Sequence, residues 1–337
     1  MKNNILIILT LVYSVVFTSC QTEIEFSGKE TAPLMVLNSI ITPDSTIKVW
    51  ITESKFFLEN DSKFDDVENA TVKIWVNDIE KPALMYVRNG LYVSSYTPKA
   101  GDKIRITAKN NKLPEVNSYT EIQKTSPITS IDTIYKITEK YPITNGYGGG
   151  TNDTIGYIYN VQLDLKVYFK DPKDVENYYF IKAKTLDYLA NGIIVLNYQY
   201  FNSNDPVFRS TTEEGIIGDI NGSYVTDFIF SDALFNGKEY GLKLNTSFYS
   251  NTMNSDPSQQ DSDNKIVKRE LVIELQSISK SYYLYHKTKE ASNSNDMGFF
   301  SEPVQIYNNI EGGIGIFANY NSTFYKMEIR KDIGNQY

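Results

Sequence analysis

Residues 47–52, Ile-Lys-Val-Trp-Ile-Thr, and residues 71–77, Thr-Val-Lys-Ile-Trp-Val-Asn, decide the fold class. Ile47, Val49 and Ile51 alternate with Lys48, Trp50 and Thr52, and Val72, Ile74 and Val76 alternate with Thr71, Lys73, Trp75 and Asn77. A period of two sends one apolar set to a core and the other set to solvent, as a half-buried strand requires. Working outward, Leu34-Met35-Val36-Leu37 and the runs 84–86, 91–96 and 104–107 supply further short strands. Asn89-Gly90 and Ala100-Gly101-Asp102 punctuate them as turns. Residues 33–123 thus predict a β-sandwich of immunoglobulin-like size, without the paired cysteines of antibody domains. Both tryptophans fall on the wet phase of their strands, so a covering loop or neighbouring domain is expected over each.

The same alternation recurs downstream. Leu163, Leu165, Val167 and Phe169 alternate with Asp164, Lys166 and Tyr168, and Asp171-Pro172 stops the run. Strands are further expected at 130–136, 178–185, 193–199, 271–275 and 324–329, with Asn191-Gly192 as a turn. Residues 279–289 form the helix candidate, which places Ile278, Tyr282 and Tyr285 on one face. Residues 202–230 are irregular, and residues 250–265 are too polar to form a core, so a long exposed loop is expected there. The class is all-β: residues 33–123 as an immunoglobulin-like sandwich, then 124–337 as a larger, elaborated β-sandwich-type domain with a short helix.

Composition removes several function classes. The chain has 337 residues and a formal net charge of -8 without a basic cluster, which argues against a nucleic-acid partner. Its one histidine, His286, cannot build a multi-histidine zinc site, and no catalytic role is expected for it. The glycines of 146–150 lack the Lys-Ser/Thr of a phosphate loop, so a hairpin tip is the plain account. Asp219-Ile220-Asn221-Gly222 and Asp261-Ser262-Asp263-Asn264 are fragments of calcium loops without the trailing Glu. No catalytic residue, metal site or cofactor is expected. The unusual figures are 26 Tyr and 17 Phe, which suit strands with one half-wet face.

The N-terminus points to export. Lys2, a short apolar run over 5–17 and Thr18-Ser19 precede the only cysteine, Cys20. This resembles a bacterial lipobox, which implies cleavage of residues 1–19 and lipid attachment at Cys20. Glu23 and Glu25 follow in a polar tether, residues 20–32, and resemble the acidic tag that sends Bacteroidota lipoproteins to the outer face of the outer membrane. Such a protein is anchored to the outer membrane rather than spanning it.

Several separated motifs resemble one family. They are Asp171-Pro172 with Glu176-Asn177-Tyr178-Tyr179, then Asp205-Pro206-Val207-Phe208, then Phe230-Ser231-Asp232-Ala233-Leu234-Phe235-Asn236-Gly237-Lys238. The run 275–283 and the stretch from Pro303-Val304 to Glu311-Gly312-Gly313-Ile314-Gly315-Ile316-Phe317 complete the set. Together they are similar to the Bacteroidota lipoproteins known as domain of unknown function 4249. The segment Gly298-Phe299-Phe300-Ser301-Glu302 departs from the family's Pro- or Ala-rich stretch. The resemblance implies an N-terminal immunoglobulin-like region, no catalytic residues, and a gene neighbourhood with TonB-dependent outer-membrane transporters. The expected role is a non-enzymatic accessory or ligand-capture subunit of such a transporter. The alternatives are an accessory of outer-membrane protein export or assembly, and a cell-surface adhesion or scaffold module. Four segments without a core pattern keep large side chains, and Tyr147, Phe201, Phe208 and Phe299 are the expected exposed anchors for that partner.

Overall fold

The structure is a computed structural model that describes residues 31–56, 63–144, 154–173, 175–208, 228–253, 266–294 and 304–329. Eight strands come first: β1 (Met35–Ile41), β2 (Lys48–Glu53), β3 (Thr71–Val76), β4 (Ile79–Glu80), β5 (Met85–Arg88), β6 (Leu91–Val93), β7 (Lys103–Lys109) and β8 (Val116–Glu121). Longer ones follow: β9 (Ile128–Thr144), β10 (Thr154–Lys170), β11 (Tyr178–Leu189), β12 (Ile194–Gln199), β13 (Ile229–Ser231), β14 (Glu239–Met253) and β15 (Ile266–Ile278). Helix α1 (Lys280–Ser294) and the last strand, β16 (Ile314–Glu328), close the described chain.

The alternation read from the sequence is the alternation of burial. Val49 and Ile51 of β2 and Val72, Ile74 and Val76 of β3 are buried, while Lys48 and Thr71 are exposed. They meet Met35, Leu37, Tyr92, Ile104 and Ile106 in one core between the sheet β4-β3-β7-β8 and the strands β1, β2, β6 and β5. Asn89 and Gly90, at φ 48° and 69°, make the β5–β6 turn, a left-handed pair that suits Asn and Gly. A second core lies between the sheet β14-β10-β9 and the sheet of β11, β15 and the far half of β16. Leu163, Leu165, Val167 and Phe169 of β10 face Tyr179, Ile181, Leu271, Ile273 and Leu275 across it. The whole is mostly β, with several sheets packed as sandwiches and one helix among the described residues.

Strand β16 joins the two cores. Ile314 to Asn319 pair in parallel with β1, whereas Tyr320 to Glu328 pair antiparallel with β15. Phe317 enters the first core, while Ile316 and Ala318, on the opposite face, pack with Tyr282 of α1. The glycines before and within it are set by backbone approach. A Cβ on Gly315, at φ +127°, would lie 2.1 Å from the carbonyl oxygen of Leu37, and one on Gly313 would lie 2.4 Å from that of Met35. Helix α1 starts at Ser279, whose Oγ accepts from the Tyr282 amide at 3.3 Å as an N-cap.

Three expectations change. Trp50 is 45% exposed, and Trp75 is covered not by a loop but by its cross-strand neighbour, with the Arg105 guanidinium 3.7 Å from the ring centroid. Residues 250–253 continue β14 instead of starting a loop, because the long β10 offers Gly156 to Tyr159 as ladder partners. Residues 314–317, the end of the glycine box, and residues 324–328 belong to one strand, with Asn319, Asn321, Ser322 and Thr323 as its polar middle. Residues 145–150 and 254–265 lie outside the described residues.

Candidate functional site

The carboxylates of the sequence motifs are the first place to look for chemistry, and the three aspartates among them, Asp171, Asp205 and Asp232, are buried clamps. Asp171 ends β10 with 1% exposure. Its Oδ1 accepts from the Tyr179 hydroxyl at 2.5 Å and its Oδ2 from the Gly237 amide at 2.7 Å. The Tyr179 oxygen also lies 3.0 Å from Ser126 Oγ. Asp232, 2% exposed, accepts from the Asn177 amide at 2.9 Å and from Asn177 Nδ2 at 3.3 Å. Asn236 Nδ2 donates to the Val175 carbonyl at 3.0 Å, so the turn after β10 and the turn after β13 are laced together.

The same device recurs twice. Asp205 accepts from the Tyr240 hydroxyl at 2.6 Å and from the Lys243 amide at 2.9 Å. Asp102 accepts from the Tyr96 hydroxyl at 2.6 Å, the Lys99 amide at 2.8 Å and Asn77 Nδ2 at 3.0 Å. Each pairs a buried aspartate with a tyrosine O–H and a backbone N–H, which satisfies a carboxylate that burial would otherwise penalise. Part of the tyrosine count is therefore a hydrogen-bonding inventory rather than a wet strand face.

The electrostatics divide the clamps. Burial pushes the Asp171 carboxyl above its ordinary range, against the bonds from Tyr179 and Gly237. Burial does the same to Asp232, and the charge of Asp171 adds to it. Burial and the Asp171 carboxylate push the Tyr179 hydroxyl far up. At Asp102 burial also pushes upward, but the bonds from Tyr96, Lys99 and Asn77 outweigh it and leave the group below its ordinary value. Tyr96 is correspondingly pushed up to about 12, by burial first and then by Asp102. Raised carboxylates are what an acid–base site needs. Here both are buried, and their oxygens are taken up by Tyr179, Gly237 and Asn177. Among the described residues, no group of three or more His, Cys, Asp or Glu could hold a metal ion.

Two of the expected anchors are not exposed. Phe201 and Phe208 are buried in the second core, edge-on to Phe228 at 5.7 and 5.1 Å between centroids. The cause is local. The Asp205 clamp fixes one 3-10 turn, Pro206–Phe208, and Asn202 bridges Asn245 of β14, so both rings turn inward. Tyr147, Phe299, Cys20, Glu23 and Glu25 lie outside the described residues. So do both calcium-loop fragments. His286 lies against Tyr282 and Phe180, 4.7 and 5.4 Å between ring centroids.

The exposed apolar surface that sequence reasoning missed is β12. Ile193, Ile194, Val195, Leu196, Tyr198 and Tyr200 are all exposed, from 38% at Val195 to 86% at Tyr200. The signal was the run Ile-Ile-Val-Leu itself, which has no period of two and so no single core face.

Two sandwiches bound by a shared strand, with the motif aspartates used as clamps, define an all-β, multi-sheet protein with one helix among its described residues. The chain belongs to the family described as Domain of unknown function (DUF4249), whose model matches residues 21–326. No curated protein matches. Among solved structures, one described as "Structural basis for the promiscuous specificity of the carbohydrate-binding modules from the beta-sandwich super family" aligns at 7% identity and TM-score 0.20. It covers 66% of this chain and 96% of its own, and a score of that size carries no argument. No helix among the described residues is long and apolar enough to cross a membrane.

Proposed function

We propose that this protein is a lipid-anchored lipoprotein on the outer face of the outer membrane, a non-enzymatic accessory or ligand-capture subunit of a TonB-dependent transporter. Under this reading residues 1–19 are a cleaved signal, Cys20 carries the lipid and Glu23 and Glu25 direct surface display. Residues 33–123, immunoglobulin-like, and 124–337 are then the two β units on the tether 20–32. The observation that carries the non-enzymatic half is the use of the motif carboxylates: Asp171, Asp205 and Asp232 are consumed in internal hydrogen bonds. What is left to act is surface.

A tagged, lipidated full chain, recovered from gently solubilised outer membranes, should bring a TonB-dependent transporter above an untagged control. Recovery of none counts against the transporter role. Two further variants test the address. Cys20→Ala should release the protein from the membrane or leave it uncleaved. Neutralising Glu23 and Glu25 should keep the lipid and protect the chain from protease added to intact cells. Digestion equal to the parent's removes the acidic-tag argument.

A further inference from the structure

Strand β12 is an edge without the usual protection. Among the described residues it pairs with β11 alone and ends the path of the nine-stranded sheet. Sheet edges offer unpaired N–H and C=O groups to other chains, and proteins blunt them with charges, proline or bulges. The other edge strands here are blunted. β9 carries Asp132, Lys136, Glu139, Lys140 and Pro142, β14 carries Glu239 and Lys243, and β5, β4 and β8 carry Arg88, Glu80 and Glu121. Apart from the three-residue β13, β12 alone among the described edges has no charge, and none occurs anywhere from Asn191 to Asn204.

The ladder fixes which groups point outward. The Leu189 amide donates to the Ile193 carbonyl at 2.9 Å, so positions 189 and 193 form a hydrogen-bonded pair. Alternation then turns the backbone groups of Val195, Asn197 and Gln199 towards β11, and those of Ile194, Leu196 and Tyr198 away from it. Side chains sort by face as well. Thr185 and Asp187 of β11 are buried on the core side opposite Asn197 and Val195, which leaves Ile194, Leu196 and Tyr198 on the outer face.

We propose that β12 is where a second copy of this chain adds, edge to edge and antiparallel, about a two-fold axis through Leu196. The strand is its own complement in that register. Ile194 pairs with Tyr198 of the other copy, Leu196 meets Leu196, and all three outward residues exchange backbone hydrogen bonds while their apolar side chains form cross-strand pairs. Charge selects the same place. Two copies of a chain with a net charge of -8 repel over most of their surface, and the uncharged run from Asn191 to Asn204 is where they meet without like charges. The proposal is independent of the transporter role.

The lipidated full chain in detergent, followed by sedimentation, tests it with Leu196→Lys and Leu196→Glu. The parent should sediment as a dimer in the micromolar range, and each variant alone as a monomer with unchanged circular dichroism. Because residue 196 faces itself across the axis, mixing the Lys and Glu variants in equal amounts should restore the dimer. A monomeric parent overturns the proposal, as do single variants that dimerise like the parent or a mixture that stays monomeric. A monomeric parent whose transporter capture is lost in Leu196→Lys assigns the edge to a transporter strand instead and also overturns it.

Discussion

Asn319 Nδ2 donates to Thr120 Oγ1 at 2.7 Å, a bond between residues 199 apart in sequence. The same amide donates to the Glu121 carbonyl at 2.9 Å, and its oxygen accepts from the Gln123 amide at 3.0 Å. Its backbone N–H reaches Ser279 Oγ at 3.2 Å, the cap of α1. Asn319 is fully buried at the point where β16 leaves β1 for β15, so one side chain ties both sandwiches and the helix start.

Asn319→Ala should therefore cost more than a lone hydrogen bond. It removes the partner of the buried Thr120 hydroxyl and leaves the Gln123 amide without its acceptor, for a loss of about 2–4 kcal/mol. Urea unfolding checks the size. The parent should unfold in one transition by fluorescence and by circular dichroism, and the variant should broaden or split it as the two sandwiches uncouple.

Glycine substitutions separate close approach from backbone freedom. Gly315→Ala would drive a Cβ into the Leu37 carbonyl at a positive φ, for a loss of roughly 3 kcal/mol or more. Gly101→Ala, at φ +85° with nothing within 4 Å, should lose only about 1 kcal/mol. Thermal unfolding of the two variants should keep that order.

The clamps predict opposite pH signatures. Asp102 is lowered in the folded state, so its contribution is present above the ordinary carboxylate range and is lost as pH falls through its folded value. Asp171 is raised, so its contribution is present at acid pH and is lost as pH rises through its folded value. The stability lost in Asp102→Asn should be largest at neutral pH, and that in Asp171→Asn largest near pH 4, roughly the ordinary carboxylate value. Urea midpoints between those conditions read the two slopes, and slopes of the same sign would contradict the assignment.

Burial of Phe208 predicts that Phe208→Ala costs about 3–5 kcal/mol. Tyr200→Ser, on a side chain 86% exposed, should leave the melting temperature within error of the parent. The contrast shows why the sandwich strands were legible in the sequence while the site was not. Residues 47–52 and 163–169 carry a period of two that sorts core from solvent without knowledge of any partner. Between Tyr200 and Phe208 no period exists, and the side chains are sorted by Asp205, whose donors Tyr240 and Lys243 lie 35 and 38 positions away. Likewise, Gly313 and Gly315 are set by close approach to β1, a strand at the other end of the chain. Long-range pairing decided both, and no local pattern records it.

The most direct test of a binding protein with structural carboxylates is transporter recovery measured beside folded fraction for the parent, Asp171→Asn, Asp205→Asn and Asp232→Asn, all lipidated and full length. A transporter-binding role with purely structural carboxylates requires that the parent bring a TonB-dependent transporter from solubilised outer membranes and that recovery by each variant fall only as its folded fraction falls. It would be contradicted by a parent that recovers no transporter above the untagged control, or by a variant with the parent's melting temperature that has lost its partner.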